Sequence, residues 1–265
     1  MCLACSRARE YEVRGQILAV DRGRREITIK HEDIRGFMPG MTMPFKVRDA
    51  RLLERREAGD LVEATLVVED ANAYLSSIER TGHAELTAPP PPPRVDVLEP
   101  GQPAPGVRLT DEAGTTRALS DWRGRIVAVT FTYTRCPMPD FCPRMDQHFK
   151  RVQGEILADP GIRDRIALLS VSFDPAFDTP QVLAAHARQA GADPRVWHFV
   201  TGERDAIAGF ASRFGISIIH EGSTAADITH NLRTAVIASN GTLLMIFNGN
   251  DWTPADLMHA LRQAH

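Results

Sequence analysis

The sequence lacks a long apolar run, a basic net charge and a rich supply of cysteines. No segment approaches the roughly 18 consecutive apolar residues of a membrane-spanning helix. The formal net charge of -3 argues against nucleic acid as a partner, because phosphate binding needs a basic face. Four cysteines in 265 residues are too few for a disulfide scaffold. They form two close pairs, Cys2 with Cys5 and Cys136 with Cys142, which indicates redox or metal chemistry.

The first residues resemble the end of a secretion signal. Small residues precede Cys5, as they precede the lipidated cysteine of a bacterial lipoprotein, but the charged and apolar regions of such a signal are missing. We interpret residues 1–9 as a truncated lipoprotein-like tail, with Cys5 as a candidate lipidation site and a lipid anchor as its consequence. A pair of incidental N-terminal cysteines is the alternative.

A proline run divides the chain. Residues 89–93 are five consecutive prolines, and Pro100, Pro103 and Pro105 follow. Each proline removes a backbone donor and fixes φ, so no core element tolerates this density. We expect residues 88–105 to form a stiff, extended linker between two domains.

The first domain, residues 10–87, is predicted to be all β. Apolar and polar residues alternate in short segments, and Asp21-Arg22-Gly23 is typical of a hairpin turn. Five short strands in so few residues favour a small closed barrel of the OB type. The predicted strands lie at residues 11–17, 26–30, 45–47, 61–68 and 74–78.

The second domain, residues 106–265, alternates strands and helices. The apolar, β-branched run at 126–131 predicts a buried central strand, and the apolar residues that follow it recur at helical spacing. Thr179 and Pro180 are suited to the N-cap and first position of a helix. A βαβ half followed by a ββα half predicts an α/β thioredoxin-like fold. Further strands are predicted at 166–173, 196–200, 234–238 and 243–247, and further helices through 210–214 and over 253–262.

Cys136 and Cys142 lie between the predicted central strand and the first helix. Open α/β sheets carry their chemistry at the carboxyl ends of strands. A helix N-terminus stabilises a thiolate, so we expect Cys142 to be acidified. A thiolate serves both disulfide exchange and the binding of a soft metal. A purely structural disulfide between the two cysteines is the alternative.

This loop and its surroundings resemble the Sco/SenC copper chaperones, whose pattern reads Tyr-Thr-x-Cys-Pro-x-x-Cys-Pro. The chain has Tyr133-Thr-Arg-Cys136-Pro137 and then Cys142-Pro143, and the resemblance extends over about residues 100–265. It implies that Cys136, Cys142 and His230 bind one copper ion, as Cu(I) or Cu(II). The same two cysteines would be the redox pair, able to form a disulfide.

One feature departs from the family pattern. The family separates its cysteines by three residues, whereas five intervene here. A loop of this size still closes at little extra entropy, but the copper geometry and the disulfide strain would both change. We also expect Asp227 to orient the His230 imidazole, and Asp174 and Asp178 to serve a turn and a helix start rather than to bind metal.

A second cluster, in the first domain, combines His31 with Met38, Met41 and Met43. Thioethers are soft ligands that favour Cu(I). Met41 and Met43 are two residues apart, so on a strand both point to one face. Simple core packing is the alternative, but the interleaved proline, glycine and threonine favour a metal site over a core strand.

The same stretch resembles the CusF-like periplasmic copper-binding domains over about residues 12–80. Their His and Met-Thr-Met ligands correspond to His31, Met41 and Met43 in this sequence. Met38 stands at the position of the family's metal-stacking tryptophan, with Phe37 beside it. Two roles are open at this position: Met38 as a fourth ligand through its thioether, or Phe37 as an aromatic cap weaker than tryptophan.

Together the two resemblances predict a copper metallochaperone that faces the periplasm. The resemblance to the Sco/SenC family implies a copper-receiving partner protein, which for that family is a subunit of cytochrome c oxidase. A thiol–disulfide oxidoreductase would use the same Cys136 and Cys142, so the sequence does not separate a chaperone from an enzyme. A copper-resistance sink without a client is a further alternative, and a peroxiredoxin-type peroxidase is disfavoured by the resemblance.

Overall fold

A computed structural model describes most of the chain. It does not describe Cys2, Cys5 or the five-proline run. Of the predicted tail it describes residues 8–9, and of the predicted linker residues 96–105. The described residues are 8–38, 40–69, 72–86, 96–136, 138–220 and 228–264. The chain divides into two compact units. The first unit contains Met1–Pro93, Pro137–Asp140 and Ile219–His230, and the second contains Arg94–Cys136, Phe141–Ile218 and Asn231–His265.

The first unit is built on a five-stranded antiparallel sheet with the order β3-β2-β1-β4-β5. Its two edges approach one another, since Val47 bridges Leu75 and the Arg48 N–H donates to the Leu75 carbonyl at 3.0 Å. A strand is present at each of the five predicted segments, but the third begins at Met41, four residues before its predicted start, and ends at Lys46. Arg9, which was assigned to the tail, belongs to β1 and pairs with Val68. The strands are β1 (Arg9–Asp21), β2 (Glu26–His31), β3 (Met41–Lys46), β4 (Asp60–Glu69) and β5 (Asn72–His83).

Alternation along these strands places one set of side chains inside. Ile27 and Ile29 of β2 are fully buried and face the same side as Phe45 of β3, which is 1% exposed. Val13 and Ile17 of β1 are fully buried as well. The alternating pattern therefore encodes the core directly, because a shift of one residue would turn each strand inside out.

The second unit is built on a seven-stranded mixed sheet with the order β14-β13-β8-β9-β10-β6-β7. β8, β9 and β10 run parallel, whereas β13 is antiparallel to β8. The predicted βαβ and ββα halves are present as β8-α1-β9 and β13-β14-α4. A short pair, β11 (Ile218–His220) and β12 (Ile228–His230), forms a separate two-stranded sheet, and its residues from Ile219 onward belong to the first unit. The strands are β6 (Arg108–Asp111), β7 (Thr116–Ala118), β8 (Ile126–Thr132), β9 (Ile166–Ser172), β10 (Trp197–Thr201), β11 (Ile218–His220), β12 (Ile228–His230), β13 (Arg233–Ile237) and β14 (Leu243–Asn248), and the helices are α1 (Cys142–Ala158), α2 (Pro180–Ala190), α3 (Arg204–Arg213) and α4 (Pro254–Gln263).

The core of the second unit lies between this sheet and its helices. Every residue of β8 and β9 is buried, as expected for central parallel strands. Helix α1 contributes Phe149, Val152 and Ile156, each fully buried, which matches its predicted helical spacing. Cys136 follows β8 and Cys142 begins α1.

The predicted linker is too long at its C-terminal end. Leu98 is 4% exposed and its N–H donates to the Arg213 carbonyl, so it packs on the second unit. The backbone of residues 101–104 then exchanges hydrogen bonds with Gly241 and Leu243. Prolines at 100, 103 and 105 do not prevent this, because the residues between them supply the N–H donors.

Among the described residues, no helix has both the length and the apolar character needed to cross a bilayer.

Asp60, at the start of β4, is an ion-pair centre buried in the first unit. Its side chain accepts from Arg80 Nε at 2.7 Å, from His83 Nδ1 at 3.0 Å and from the Glu57 N–H at 3.1 Å. Burial opposes ionisation, but the hydrogen bonds from His83 and Glu57 and the Arg80 guanidinium outweigh it and lower the pKa of Asp60. The lowered pKa means that the ionised form stabilises the folded state.

We predict that Asp60→Asn destabilises the first unit by about 1–3 kcal/mol at pH 7, because buried donors lose a charged acceptor. The difference from wild type is complete above the ordinary pKa of 3.8 and shrinks as the pH falls through the lowered value. Urea unfolding followed by far-UV circular dichroism measures it. Tryptophan fluorescence is the internal control, since all three tryptophans lie in the second unit. An equal loss for the exposed Asp21→Asn would contradict the prediction.

Candidate metal centres

Cys136 and Cys142 are brought together at the carboxyl end of β8. Both are free thiols; Cys136 is half-buried and Cys142, the first residue of α1, is 2% exposed. The two side chains are hydrogen-bonded to each other, so the five-residue spacing does not keep the sulfurs apart. The structure thus describes the dithiol form of the predicted redox pair.

The expectation that the helix N-terminus acidifies Cys142 is wrong. Burial raises the pKa of the Cys142 thiol well above its ordinary value, and the Cys136 side chain and the Asp146 carboxylate act in the same direction. The backbone N–H of Tyr133 opposes this but does not offset it. Loss of solvation outweighs the helix dipole here, because the Cys142 side chain is buried rather than in solvent. A metal or an oxidant must therefore displace a proton from Cys142.

Tyr133 contacts both cysteines, a role that the sequence did not suggest. Its hydroxyl is hydrogen-bonded to the Cys136 side chain and its N–H donates to the Cys142 sulfur. Burial raises the pKa of the Tyr133 hydroxyl, so this group stays protonated. The only sequence signal was its place three residues before Cys136.

Asp174 and Asp178 support the residues that lead into Cys136. Asp178, fully buried, accepts from the Thr134 N–H at 3.1 Å and from the hydroxyls of Thr134 and Ser172. Asp174 pairs with the Arg135 guanidinium at 2.6 Å. Both aspartates stand at a turn and before a helix, as predicted, but the sequence did not reveal that they reach back to the cysteine loop.

Asp146 lies one helical turn after Cys142. Its carboxylate is 2.7 Å from His186 Nε2 on α2, and this hydrogen bond raises the pKa of His186. The contact joins α1 to α2 directly behind the cysteine loop.

His230 is the last residue of β12 and is half-buried. The next residue, Asn231, is anchored by its side chain, which accepts from the Ser217 N–H at 2.8 Å and donates to the Gly215 carbonyl at 2.9 Å. Asp227, expected to orient the imidazole, lies outside the described residues. The coordination of one metal by Cys136, Cys142 and His230 stays a prediction.

In the first unit, His31 presents a nitrogen suited to a metal. Its Nδ1 donates to the Glu32 carbonyl at 2.8 Å, so Nε2 carries the lone pair of the neutral ring. Nε2 is buried and has no hydrogen-bond partner among the described residues. Burial lowers the pKa of His31, which keeps the ring neutral. A buried acceptor without a donor is costly unless something binds it.

The strand register places two methionines on the strand that pairs with the His31 strand. His31 pairs with Met41, and Ile29, two residues earlier in β2, pairs with Met43. Met43 is 6% exposed and Met38, held by a turn that pairs it with Ile34, is 5% exposed. The side chain of Met41 lies outside the described residues.

The expectation that these methionines do not belong to a core strand is therefore corrected for Met43. It lies in β3 two residues from Phe45, on the same buried face. The proline and threonine of this strand occupy the alternate positions, so they do not prevent burial. Core packing and metal binding are compatible here, since thioethers are both apolar and soft ligands.

Gly15 allows the close approach of β1 to this site. It pairs with His31, and a Cβ at Gly15 would lie 2.3 Å from the Lys30 carbonyl oxygen and 2.7 Å from His31 Cα. Those atoms belong to the backbone and cannot move aside without breaking the sheet. Glycine is required at this position because of that contact.

Both donor sets fit copper. Two thiols suit Cu(I) as thiolates, and a neutral imidazole nitrogen with thioethers forms a soft set without charge. Among the described His, Cys, Asp and Glu side chains, Glu57, Asp60 and His83 also lie close together. The Arg80 guanidinium already neutralises Asp60, which disfavours a cation there.

We predict that Asp178→Asn destabilises the second unit by about 2–4 kcal/mol, because a buried amide accepts fewer hydrogen bonds than a carboxylate and introduces unmatched donors. Urea unfolding followed by tryptophan fluorescence measures the change. The matched control is Asp164→Asn, whose side chain is 82% exposed and should change stability by less than about 0.5 kcal/mol. Similar losses for both variants would contradict the buried network.

Comparison with known proteins identifies relatives of both units. The chain matches the SCO1/SenC family model over residues 103–265, which is more than half of its length, and the model described as copper binding periplasmic protein CusF over residues 10–80. The SCO1 protein homolog of Bacillus subtilis (strain 168) is 24% identical over 147 residues, covering 55% of this chain and 74% of that protein. The chain spans between 29% and 74% of the curated relatives it matches.

Solved structures agree with this assignment. Arabidopsis thaliana ScoI with copper bound matches with a TM-score of 0.53 at 16% identity, over 62% of this chain and 98% of that one. BsSco, a member of the Sco family of cytochrome c oxidase assembly proteins, matches with a TM-score of 0.53 at 22% identity, over 64% of this chain and 97% of that one. At these identities the likeness shows the fold alone, which for the C-terminal part is the thioredoxin-like fold of Sco proteins. Together with the match over residues 103–265, these findings show that the chain belongs to the SCO1/SenC family.

Proposed function

We propose that this protein is a copper metallochaperone of the cell envelope. The observation that carries the proposal is the pair of adjacent free thiols, Cys136 and Cys142, at the junction of β8 and α1. In a member of the SCO1/SenC family such a pair, completed by His230, would hold one copper ion. Binding of Cu(I) displaces the protons of both thiols, so uptake and release are linked to proton transfer.

A second copper site is proposed in the first unit, with His31, Met41 and Met43 as ligands. Its support is the buried Nε2 atom of His31, which has no hydrogen-bond partner among the described residues, and the register that pairs His31 with Met41 and Ile29 with Met43. We propose that β3 and β5 close the sheet into an OB-like barrel at the Val47–Leu75 bridge, with this site on its inner face.

Met38 is proposed as a fourth ligand in preference to an aromatic cap by Phe37. The Phe37 ring is stacked on Tyr11, with centroids 4.5 Å apart and planes 21° apart, so it is already engaged. Met38 is buried and its backbone is fixed by paired hydrogen bonds with Ile34 at 2.8 and 3.0 Å. A fixed, buried thioether costs little entropy to recruit as a ligand.

The proposed location is the periplasm, and the proposed client is a cytochrome c oxidase subunit. CusF is described as periplasmic, and BsSco as belonging to a family of oxidase assembly proteins. A lipid anchor at Cys5 would hold the protein at the membrane surface. The location and the client are taken from relatives and are proposals for this chain.

We predict that the reduced full chain binds two Cu(I) ions, measured by anaerobic competition with a chromogenic chelator. All variants carry Cys2→Ser and Cys5→Ser, so that the N-terminal cysteines add no thiol. Cys136→Ser with Cys142→Ser should leave one site, and Met43→Leu, which preserves buried volume, should weaken the other site by about tenfold or more.

The matched control for the thioether is Met245→Leu, which changes an exposed methionine of β14. It should bind copper as the parent chain does. A parent stoichiometry below two, or no effect of Met43→Leu, would overturn the two-site proposal. If Cys136→Ser with Cys142→Ser abolishes all copper binding and Met43→Leu has no effect, the chain has a single site of the Sco type.

A thiol–disulfide oxidoreductase is the second candidate. The same observation favours it, because two adjacent free thiols can reduce a disulfide of a partner by forming their own. That reaction transfers two electrons to the partner and needs no metal and no histidine ligand. The two functions therefore differ in their need for His230.

We predict that His230→Ala lowers copper delivery to a copper-free acceptor domain of cytochrome c oxidase by about tenfold or more. The rate at which the dithiol reduces oxidised glutathione should change by less than about twofold, since both sulfurs remain in place. His259→Ala, an exposed histidine of α4, is the control and should alter neither rate. Unchanged copper delivery together with unchanged thiol exchange in His230→Ala would contradict a ligand role for His230 and favour the oxidoreductase.

A further inference from the structure

We propose that Tyr133 is a positioning and tuning residue, whose hydroxyl donates a hydrogen bond to the Cys136 sulfur in the reduced and copper-bound states. The inference rests on the proposed function for its copper readout, but its thiol readout is independent of metal. Neither the fold nor copper binding by two cysteines and a histidine requires this hydroxyl.

Three separate groups of Tyr133 hold the cysteine pair. Its carbonyl accepts from the Cys136 N–H at 3.4 Å, its N–H donates to the Cys142 sulfur, and its hydroxyl is bonded to the Cys136 side chain. The residue directly follows β8, a fully buried strand, so its backbone is fixed. Its side chain is 5% exposed and its ring lies 5.2 Å from that of Phe173.

The direction of the hydroxyl bond follows from the chemistry of sulfur. A thiol can donate or accept, but a metal-bound thiolate has no proton and only accepts. The Tyr133 hydroxyl must then be the donor. A donor removes electron density from the sulfur and weakens its donation to copper, which is how hydrogen bonds around a cysteine ligand tune a copper centre.

The two sulfurs are thereby made unequal. Cys136 is half-buried and receives a side-chain hydroxyl, whereas Cys142 is buried and receives a backbone N–H. A backbone donor is present whatever the side chain, but the hydroxyl exists only because residue 133 is tyrosine. The identity of this residue therefore sets the properties of the more accessible sulfur.

The test compares Tyr133→Phe with Tyr74→Phe. The control removes another hydroxyl hydrogen bond, from Tyr74 to Glu69 at 2.9 Å, in the first unit. Two properties are measured on the full chain: the energy of the sulfur-to-Cu(II) charge-transfer absorption, and the equilibrium of the dithiol with oxidised glutathione. In the second measurement the Cys136–Cys142 disulfide forms and two glutathione thiols are released, so atoms and electrons balance.

In Tyr133→Phe the charge-transfer band should move to longer wavelength, because the sulfur becomes a stronger donor. The glutathione equilibrium should shift about fivefold toward the disulfide, since the reduced sulfur loses one ordinary hydrogen bond. Tyr74→Phe should change neither property. Unchanged values in Tyr133→Phe, with Cu(II) bound normally, would overturn the proposal while leaving the proposed function intact.

A third variant separates the hydroxyl from ring packing. Phe173→Leu removes the neighbouring ring but keeps the Tyr133 hydroxyl, so it should lower stability without moving the band. A band shift in Phe173→Leu equal to that in Tyr133→Phe would assign the effect to packing and refute the hydroxyl role. If the parent chain shows no charge-transfer band, its sulfurs do not bind Cu(II), and the glutathione equilibrium alone decides the role of Tyr133.

Discussion

Removal of ligand atoms from water is the constraint on which both candidate centres depend. The Cys142 sulfur and the His31 Nε2 atom are both buried. Burial favours the uncharged form of each group, so it raises the pKa of the thiol and lowers the pKa of the imidazole. It holds the thiol in its protonated form, and it holds the imidazole in its neutral, metal-ready form. Metal uptake at the proposed site of the first unit would therefore need no proton release, whereas uptake by the dithiol would. The two centres would respond differently to acid, although both use soft ligands.

The second unit compensates for burying the thiols with a dense polar support. Asp178 accepts a hydrogen bond from Thr134, Asp174 forms an ion pair with Arg135, and Tyr133 contacts both sulfurs. Each of these partners is supplied by the strand end or the turn that follows β8 or β9. Rigid support of this kind keeps a reactive loop in one geometry, which preorganises the cysteines for a metal or a disulfide.

The strands and helices could be predicted from the sequence because their patterns are local. Alternation in β1 and β2 and the apolar run of β8 need only neighbouring residues, and the pairing of His31 with Met41 follows once the hairpin is known. The support of the cysteine loop could not be predicted in this way. Asp178 lies 44 residues from Thr134, and no local pattern signals such a contact. The prediction of a lowered pKa for Cys142 was wrong for the same reason, because the burial of this residue is a property of the folded unit.

Gly15 has a consequence for how the first centre can change over time. Its missing side chain is what lets β1 pass beside His31, yet it offers no ligand atom of its own. The centre thus depends on a position whose contribution is empty volume. A chain could keep His31 and every methionine and still lose the proposed site by gaining a single methyl group on a neighbouring strand.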